Sequence, residues 1–377
     1  MPENKPYCLM PWMHFHVGDR GVAKACCVAN IPFGNVNNQS FKEIWEGEAI
    51  LKLRDKFAKG EADPRCGACI NREKGGAKSI RQETFERFPN WSLKQTETPI
   101  YFDIRFSNVC NFRCRTCWHG ASSKWFQDAV TLKRNLGDKA IIKNVEDFDR
   151  FIHETGPALL NAEEIYLAGG EPLVTEEHYR LLDWLIENKV FPRLRYNSNF
   201  SVLKFKNWDV LKLWKHFPDV EVMASVDGAE KLGEYIRKEF NWKVFLENRK
   251  KLADHPNVKF KIAPTVSILN LIHLPDFYNK CVEHSIIQPA DWYINILERP
   301  YYYNIKALPE VEKIKVGTTF NHFFSSGNLP INIKSSFQGC LDFMNSEDLS
   351  LHYKAYLKET ERMDELRKEF NPSDSVA

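Results

Sequence analysis

The sequence predicts an α/β fold with a parallel sheet, either open or curved into a part-barrel, and three observations lead there. Six short segments read as strands, segments of helical period lie between them, and 43% apolar residues with 13% aromatics supply a sizeable core. The first strand is "PIYFDIRFS" (99–107), where Ile100, Phe102, Ile104 and Phe106 alternate with Tyr101, Asp103 and Arg105. The others are expected at 163–168, 193–199, 220–226, 258–267 and 292–297. Between them, 176–189 places Tyr179, Leu182, Leu185 and Ile186 on one helical face. Segment 274–285 does the same with Leu274, Phe277, Tyr278 and Cys281, and the interval 119–160 holds two further helices. In such folds the chemistry gathers at the carboxyl ends of the strands, where every unusual motif of this chain sits.

Residues 1–90 read differently. "MHFHVGDRGVAKACCV" is a hairpin turning at "GDRG", with His14 and His16 expected on its surface. One amphipathic helix is expected over 40–60, opened by a capping box of Ser40 and Glu43. Beyond residue 300 come the aromatic "RPYYYN", a helix ending in "LKETERMDELRKEF", and a polar end "NPSDSVA" expected to fray. The formal net charge of +2, from 52 basic and 50 acidic residues, gives no argument for a nucleic-acid or membrane partner. "MPENKPYCLMPW" has none of the features of a signal peptide, and no apolar stretch is long enough to span a bilayer, so a cytoplasmic location is expected.

Ten cysteines in such a chain need an explanation other than disulfides. Cys281 and Cys340 stand alone and read as small buried hydrophobes. Cys110, Cys114 and Cys117 follow the first strand with the spacing C-x₃-C-x₂-C. Thiolates so close suit zinc or an iron–sulfur cluster, and structural zinc normally draws on C-x₂-C pairs. A cluster held by three thiolates leaves one iron open to an outside ligand. A second set, Cys8, Cys26, Cys66 and Cys69, has enough thiolates to close a site, and the residues alone leave zinc and a cluster equally open there. Cys27 adjoins Cys26, so one of the two ligates, with Cys27 possible in place of Cys26.

In order, the motifs over roughly 99–300 resemble those of the radical S-adenosylmethionine (radical SAM) enzymes. "CNFRCRTC" is similar to the family's cluster loop, which implies a catalytic 4Fe–4S cluster on Cys110, Cys114 and Cys117 whose open iron chelates S-adenosylmethionine. "LAGGEPLV" resembles the family's glycine–glycine–glutamate motif. It implies backbone approach at Gly169 and Gly170 and acceptance of the methionine ammonium by Glu171. "YNSNF" implies that Asn197 or Asn199 faces the ligand. "ASVDGAEKLGEYIRK" implies Ser225 and Asp227 at the ribose and Arg237 at the carboxylate, and "PTVSILN" places backbone near Val266 beside adenine. Thr116 stands where the family usually carries an aromatic, which leaves Trp118 to pack against adenine.

The first ninety residues resemble the auxiliary-cluster extensions called SPASM and, when shortened, twitch domains, through Cys8, "GVAKAC", "FGNVNNQSFKEIW" and "CGAC". That implies a second 4Fe–4S cluster on Cys8, Cys26, Cys66 and Cys69. The resemblance implies a partial (β/α)₆ TIM-type barrel with a small N-terminal iron–sulfur domain. Its divisions would be 1–92 (auxiliary), 93–300 (barrel) and 301–377 (helical extension). It further implies a reductant of flavodoxin or ferredoxin type and hydrogen abstraction from a substrate after reductive cleavage of S-adenosylmethionine to a 5′-deoxyadenosyl radical. A peptide is the expected substrate and a small sugar-like molecule the alternative. The rival of another class is a zinc-stabilised scaffold without catalysis.

Overall fold

All six predicted strands form in the computed structural model, which describes residues 7–74, 78–89, 98–134, 137, 139–325 and 329–372. The chain divides into two units: Met1–Val109 with Ile141–Tyr196 and Lys204–Val220, and Cys110–Ala140 with Asn197–Leu203 and Glu221–Ala377. The fold class is α/β with a mostly parallel sheet, as expected of a partial (β/α)₆ barrel.

In the first unit the strands are β1 (His14–Gly18), β2 (Val22–Lys24), β3 (Pro32–Asn35), β4 (Tyr101–Ile104), β5 (Glu164–Leu167) and β6 (Arg193–Ser198). They lie in the order β6-β5-β4-β1-β2-β3. Pairs β6–β5, β5–β4 and β4–β1 are parallel, while β1–β2 and β2–β3 are antiparallel. The hairpin turns at Gly21 (φ +85°), where a Cβ would stand 2.8 Å from the Asn144 carbonyl oxygen. The pairing of β1 with β4 was not foreseen, and it continues the parallel sheet with the N-terminal segment.

Register explains the character of the two faces. His14, Tyr101, Glu164 and Arg193 are cross-strand neighbours, and so are His16, Asp103, Tyr166 and Arg195. Residues in register share a face, so one face carries two polar rows while Phe15, Phe102, Ile165 and Leu194 of the other are buried apolar core. This corrects the expectation that His14 and His16 lie on the surface, since both are buried. His14 Nδ1 lies 2.9 Å from the Ala25 carbonyl, and His16 Nδ1 lies 3.0 Å from Asp103 Oδ2. Glu164 is held by Arg87 (3.3 Å) and Arg195 (3.2 Å).

The capping box at Ser40 and Glu43 is present, but the expected helix over 40–60 is two helices, Phe41–Trp45 and Glu48–Ala58. The break falls at Gly47, whose extended backbone (ψ 156°) cannot continue a helix. Helices Phe148–Leu159 and Glu176–Glu187 complete most of the helical layer of this unit.

The second unit carries the strands Val220–Ala224 (from its second residue), Val258–Ile262, Thr265–Val266 and Asn295–Ile296. The predicted strand 258–267 is interrupted at Ala263 and Pro264, and its second piece pairs in parallel with Asn295–Ile296. Cys281 and Cys340 are fully buried, as expected. After residue 300 come three long helices: Glu310–Ser325, Ile331–Asn345 and Tyr353–Arg367. Only the last was singled out by the sequence. The fraying expected at the end falls largely on 373–377, outside the described residues. Among the described residues no helix is long and apolar enough to cross a membrane.

His178, fully buried in the first unit, sits 3.0 Å from Tyr196 Oη, and burial pushes its imidazole down to about 3. Below an ordinary pKa near 6.5 the unfolded chain binds a proton that the folded chain refuses, so stability falls with falling pH. Between pH 7 and pH 5 this histidine costs about 2 kcal/mol. Urea denaturation of wild type and His178→Gln at both pH values should show the smaller pH slope in the variant.

Candidate functional site

In the first unit, Cys8, Cys26, Cys66 and Cys69 line one small pocket together with Met10 and Phe57. Cys8 precedes the short helix Met10–Met13, Cys26 follows β2, and Cys66 and Cys69 flank the start of the helix Gly67–Lys74. Burial pushes the Cys26 and Cys66 thiols up to about 11 and Cys8 higher still, and neighbouring thiols of the set raise each further. Such thiols ionise together only against a positive charge, which a metal centre supplies. Among the described residues no group of three His, Cys, Asp or Glu side chains stands close enough to hold a metal ion. The four thiols line one hollow, and four is the number that holds an iron–sulfur cluster. Cys27 does not line this hollow. It is exposed, with Asp103 and Arg105 as its nearest charges.

The loop of Cys110, Cys114 and Cys117 belongs to the second unit. Local hydrogen bonds shape it. The Cys110 N–H donates to Ser123 Oγ (3.3 Å), the Phe112 N–H to Cys110 Sγ (3.4 Å) and the Cys117 N–H to the Cys114 carbonyl (3.0 Å). Trp125 Nε1 donates to that same carbonyl at 2.6 Å. Asn111 is joined to Asn199 Nδ2 (2.8 Å) and Ser201 Oγ (2.9 Å). Burial pushes Cys117 up to about 12 and raises Cys114 as well, with the Arg237 guanidinium acting against the rise at both. Arg237 Nη1 lies 3.9 Å from Cys114 Sγ.

Around this loop the remaining predicted residues find uneven uses. Asp227 and Arg237, expected at the ribose and the carboxylate, pair with each other through Oδ1–Nη2 (2.9 Å) and Oδ2–Nε (2.8 Å). Asp227 Oδ1 also accepts the Thr265 N–H at 2.8 Å. Asn199 is engaged by Asn111 and Ser201, whereas Asn197 Oδ1 is buried with no hydrogen-bond partner. That orphaned acceptor, in the same unit as the guanidinium and the three thiols, suits a polar ligand that donates to it. Ser225 is half-buried and donates its N–H to the Ser198 carbonyl at 2.7 Å. Val266 is buried and its carbonyl accepts the Leu297 N–H. The Trp118 ring is 58% exposed and lies over Gly120, where a Cβ would come within 2.3 Å of it.

Gly169 and Gly170, in the first unit, both have positive φ (+82° and +54°). A Cβ on Gly170 would stand 2.2 Å from the Val109 carbonyl oxygen, and one on Gly169 would stand 2.7 Å from Arg105 Cβ. The glycine pair therefore serves close packing against the end of the first barrel strand. Glu171 is buried, donates its N–H to the Val109 carbonyl (2.8 Å) and accepts the Leu173 N–H on Oε1 (3.1 Å). Sequence reasoning missed Ser123 and Trp125. A tryptophan eight residues after the last loop cysteine was the available signal.

Residues 104–273 match the family model described as the radical SAM superfamily, and residues 8–70 match SPASM, described as an iron–sulfur cluster-binding domain. Among solved structures, the chain is similar to Streptococcus suis SuiB bound to S-adenosylmethionine (14% identity, TM-score 0.39, 76% of this chain and 61% of that one). It is also similar to anSMEcpe with bound AdoMet (16%, TM-score 0.43, 60% and 61%) and to SuiB bound to the precursor peptide SuiA (15%, TM-score 0.39, 75% and 58%). The chain spans about three fifths of the length of these solved proteins.

Two substitutions test the geometry. With two 4Fe–4S clusters holding ~8 iron atoms, Cys26→Ala should lose about half of the iron after anaerobic reconstitution, and Cys27→Ala should lose none. Gly170→Ala forces a Cβ into the Val109 carbonyl at a left-handed position, so thermal melting should show a loss of at least about 2 kcal/mol.

Proposed function

The chain belongs to the radical SAM superfamily, and from that premise we propose that it is an enzyme using one catalytic and one auxiliary 4Fe–4S cluster. Cys110, Cys114 and Cys117 hold the catalytic cluster, and Cys8, Cys26, Cys66 and Cys69 hold the auxiliary one. The observation that carries this reading is the three-thiol loop with Arg237 Nη1 at 3.9 Å from Cys114 and the unpartnered Asn197 Oδ1 in the same unit. When bound, the cluster and S-adenosylmethionine supply reductive cleavage of the sulfonium and hydrogen abstraction from the substrate.

The protein's own part is to bind and orient. Asp227 fixes the Arg237 guanidinium through two contacts and leaves Nη1 to donate to a carboxylate. Asn197 Oδ1 accepts from a hydroxyl or ammonium group. Buried apolar neighbours such as Phe112 limit water at the loop. The substrate is a peptide, a reading supported by the type of auxiliary domain. A sugar-like small molecule is the alternative. A flavodoxin- or ferredoxin-type protein supplies the electron, the location is cytoplasmic, and the divisions are 1–92, 93–300 and 301–377.

Reduced wild-type protein incubated with S-adenosylmethionine should release 5′-deoxyadenosine and methionine. Replacing Cys110, Cys114 and Cys117 together by Ala should abolish release and leave about half of the iron, that of the auxiliary site. Wild type that is iron-free and holds stoichiometric zinc after anaerobic expression would instead support the scaffold.

A further inference from the structure

The loop that carries the three thiols is gripped by the far end of the chain. Arg115, between Cys114 and Cys117, has a fully buried side chain that stacks on the Tyr235 ring, with its guanidinium carbon 3.7 Å from the ring centroid. Its Nε donates to the Tyr235 carbonyl (3.1 Å), and its backbone N–H donates to the Ile236 carbonyl (2.8 Å). Nη2 is shared between two carboxylates of the C-terminal segment, Asp364 and, at 2.7 Å, Glu369. Tyr235 Oη donates to Asp364 as well (3.0 Å).

A second grip lies beside the first. Arg367 Nη2 donates to the Arg113 carbonyl at 2.7 Å, while Asp128 receives both Arg367 (2.8 Å) and Arg113 Nη1 (2.7 Å). Met363, fully buried, packs on Trp125 and Ala129, and Cys117 lies against the same apolar cluster. Trp125, whose Nε1 holds the Cys114 carbonyl, carries the Arg367 guanidinium over its ring at 5.2 Å.

We propose that the helix Tyr353–Arg367 and the residues up to Glu369 are a positioning element of the catalytic site, which holds the three-thiol loop through Arg115 and the Arg113 carbonyl. The proposal rests on reading Cys110, Cys114 and Cys117 as cluster ligands. The argument is electrostatic and geometric. A buried guanidinium is tolerated only while its carboxylates stay in place, and the planar fork of Arg115 ties backbone at 235–236 and side chains at 364 and 369 to the residue between two ligands. Releasing the carboxylates leaves that charge uncompensated beside the thiols, and the loop must move to resolvate it. The partners Met363, Asp364, Arg367 and Glu369 lie outside residues 104–273, the stretch matched by the radical SAM family model.

The test compares Asp364→Asn/Glu369→Gln with Glu361→Gln, a variant at an exposed position of the same helix. Hydrogen–deuterium exchange on the full-length apo chain should rise about tenfold in 110–118 for the double variant and stay at the wild-type level there for Glu361→Gln. After reconstitution, the double variant should show a several-fold higher KM for S-adenosylmethionine with a smaller change in kcat. The electron paramagnetic resonance spectrum of its reduced cluster should respond less to S-adenosylmethionine. If the double variant does not fold, Glu369→Gln alone serves the same comparison. Unchanged exchange in 110–118, with unchanged KM and spectrum, would overturn the proposal. Wild type without iron on the loop would instead defeat the cluster reading, while the exchange measurement still decides whether the helix holds the loop.

Discussion

The end of β4 and the turn after β5 can approach each other only because residue 170 has no side chain. A Cβ there would lie 2.2 Å from the Val109 carbonyl oxygen, and the Glu171 N–H satisfies that same carbonyl from the next residue. This contact ties Gly170 and Glu171 to the segment that follows β4. It also gives Glu171 a structural task in addition to any contact with a ligand. Its carboxylate caps the turn Pro172–Val174, and its carbonyl accepts the Thr175 hydroxyl.

Parallel pairing of β1 with β4 has consequences of its own. It brings His14 and His16 into register with Tyr101 and Asp103, under cover, and turns a hairpin into part of the main sheet. Burial opposes charge on Asp103, but Arg105 and His16 outweigh it and hold the carboxyl well below its usual range. Asp103 thus keeps its charge because Arg105 and His16 stand beside it, and Glu164 of the other polar row is paired with Arg87 and Arg195.

What the sequence revealed follows from range. Alternation in "PIYFDIRFS" and the spacing of Cys110, Cys114 and Cys117 are local properties, and both located their elements correctly. The burial of His14 and His16 was illegible because it depends on β4, eighty-odd residues later, and nothing in "HFHVG" names that partner. Asp227 and Arg237 were each read as candidate site residues, but single-residue reasoning could not see that they would pair. Arg115 carries no local signal of burial between Cys114 and Cys117. Its carboxylates lie about 250 residues downstream, in a helix that was predicted without a role.

The two thiol sets differ in their surroundings in a way that matches the division of labour proposed for them. The hollow of Cys8, Cys26, Cys66 and Cys69 is lined mainly by apolar side chains, and Arg81, the one charged residue among the described lining, is paired with Glu73 at 2.5 Å. At Cys8 and Cys26 the leading influence is burial, followed by backbone contacts and by the other thiols, whereas at Cys66 the Asp63 carboxylate comes second. At Cys114 the leading influence is again burial, but the next is the Arg237 guanidinium, with Arg367 also acting in its favour. A thiolate set beside fixed cations tolerates added negative charge better than one facing only apolar groups and other thiolates.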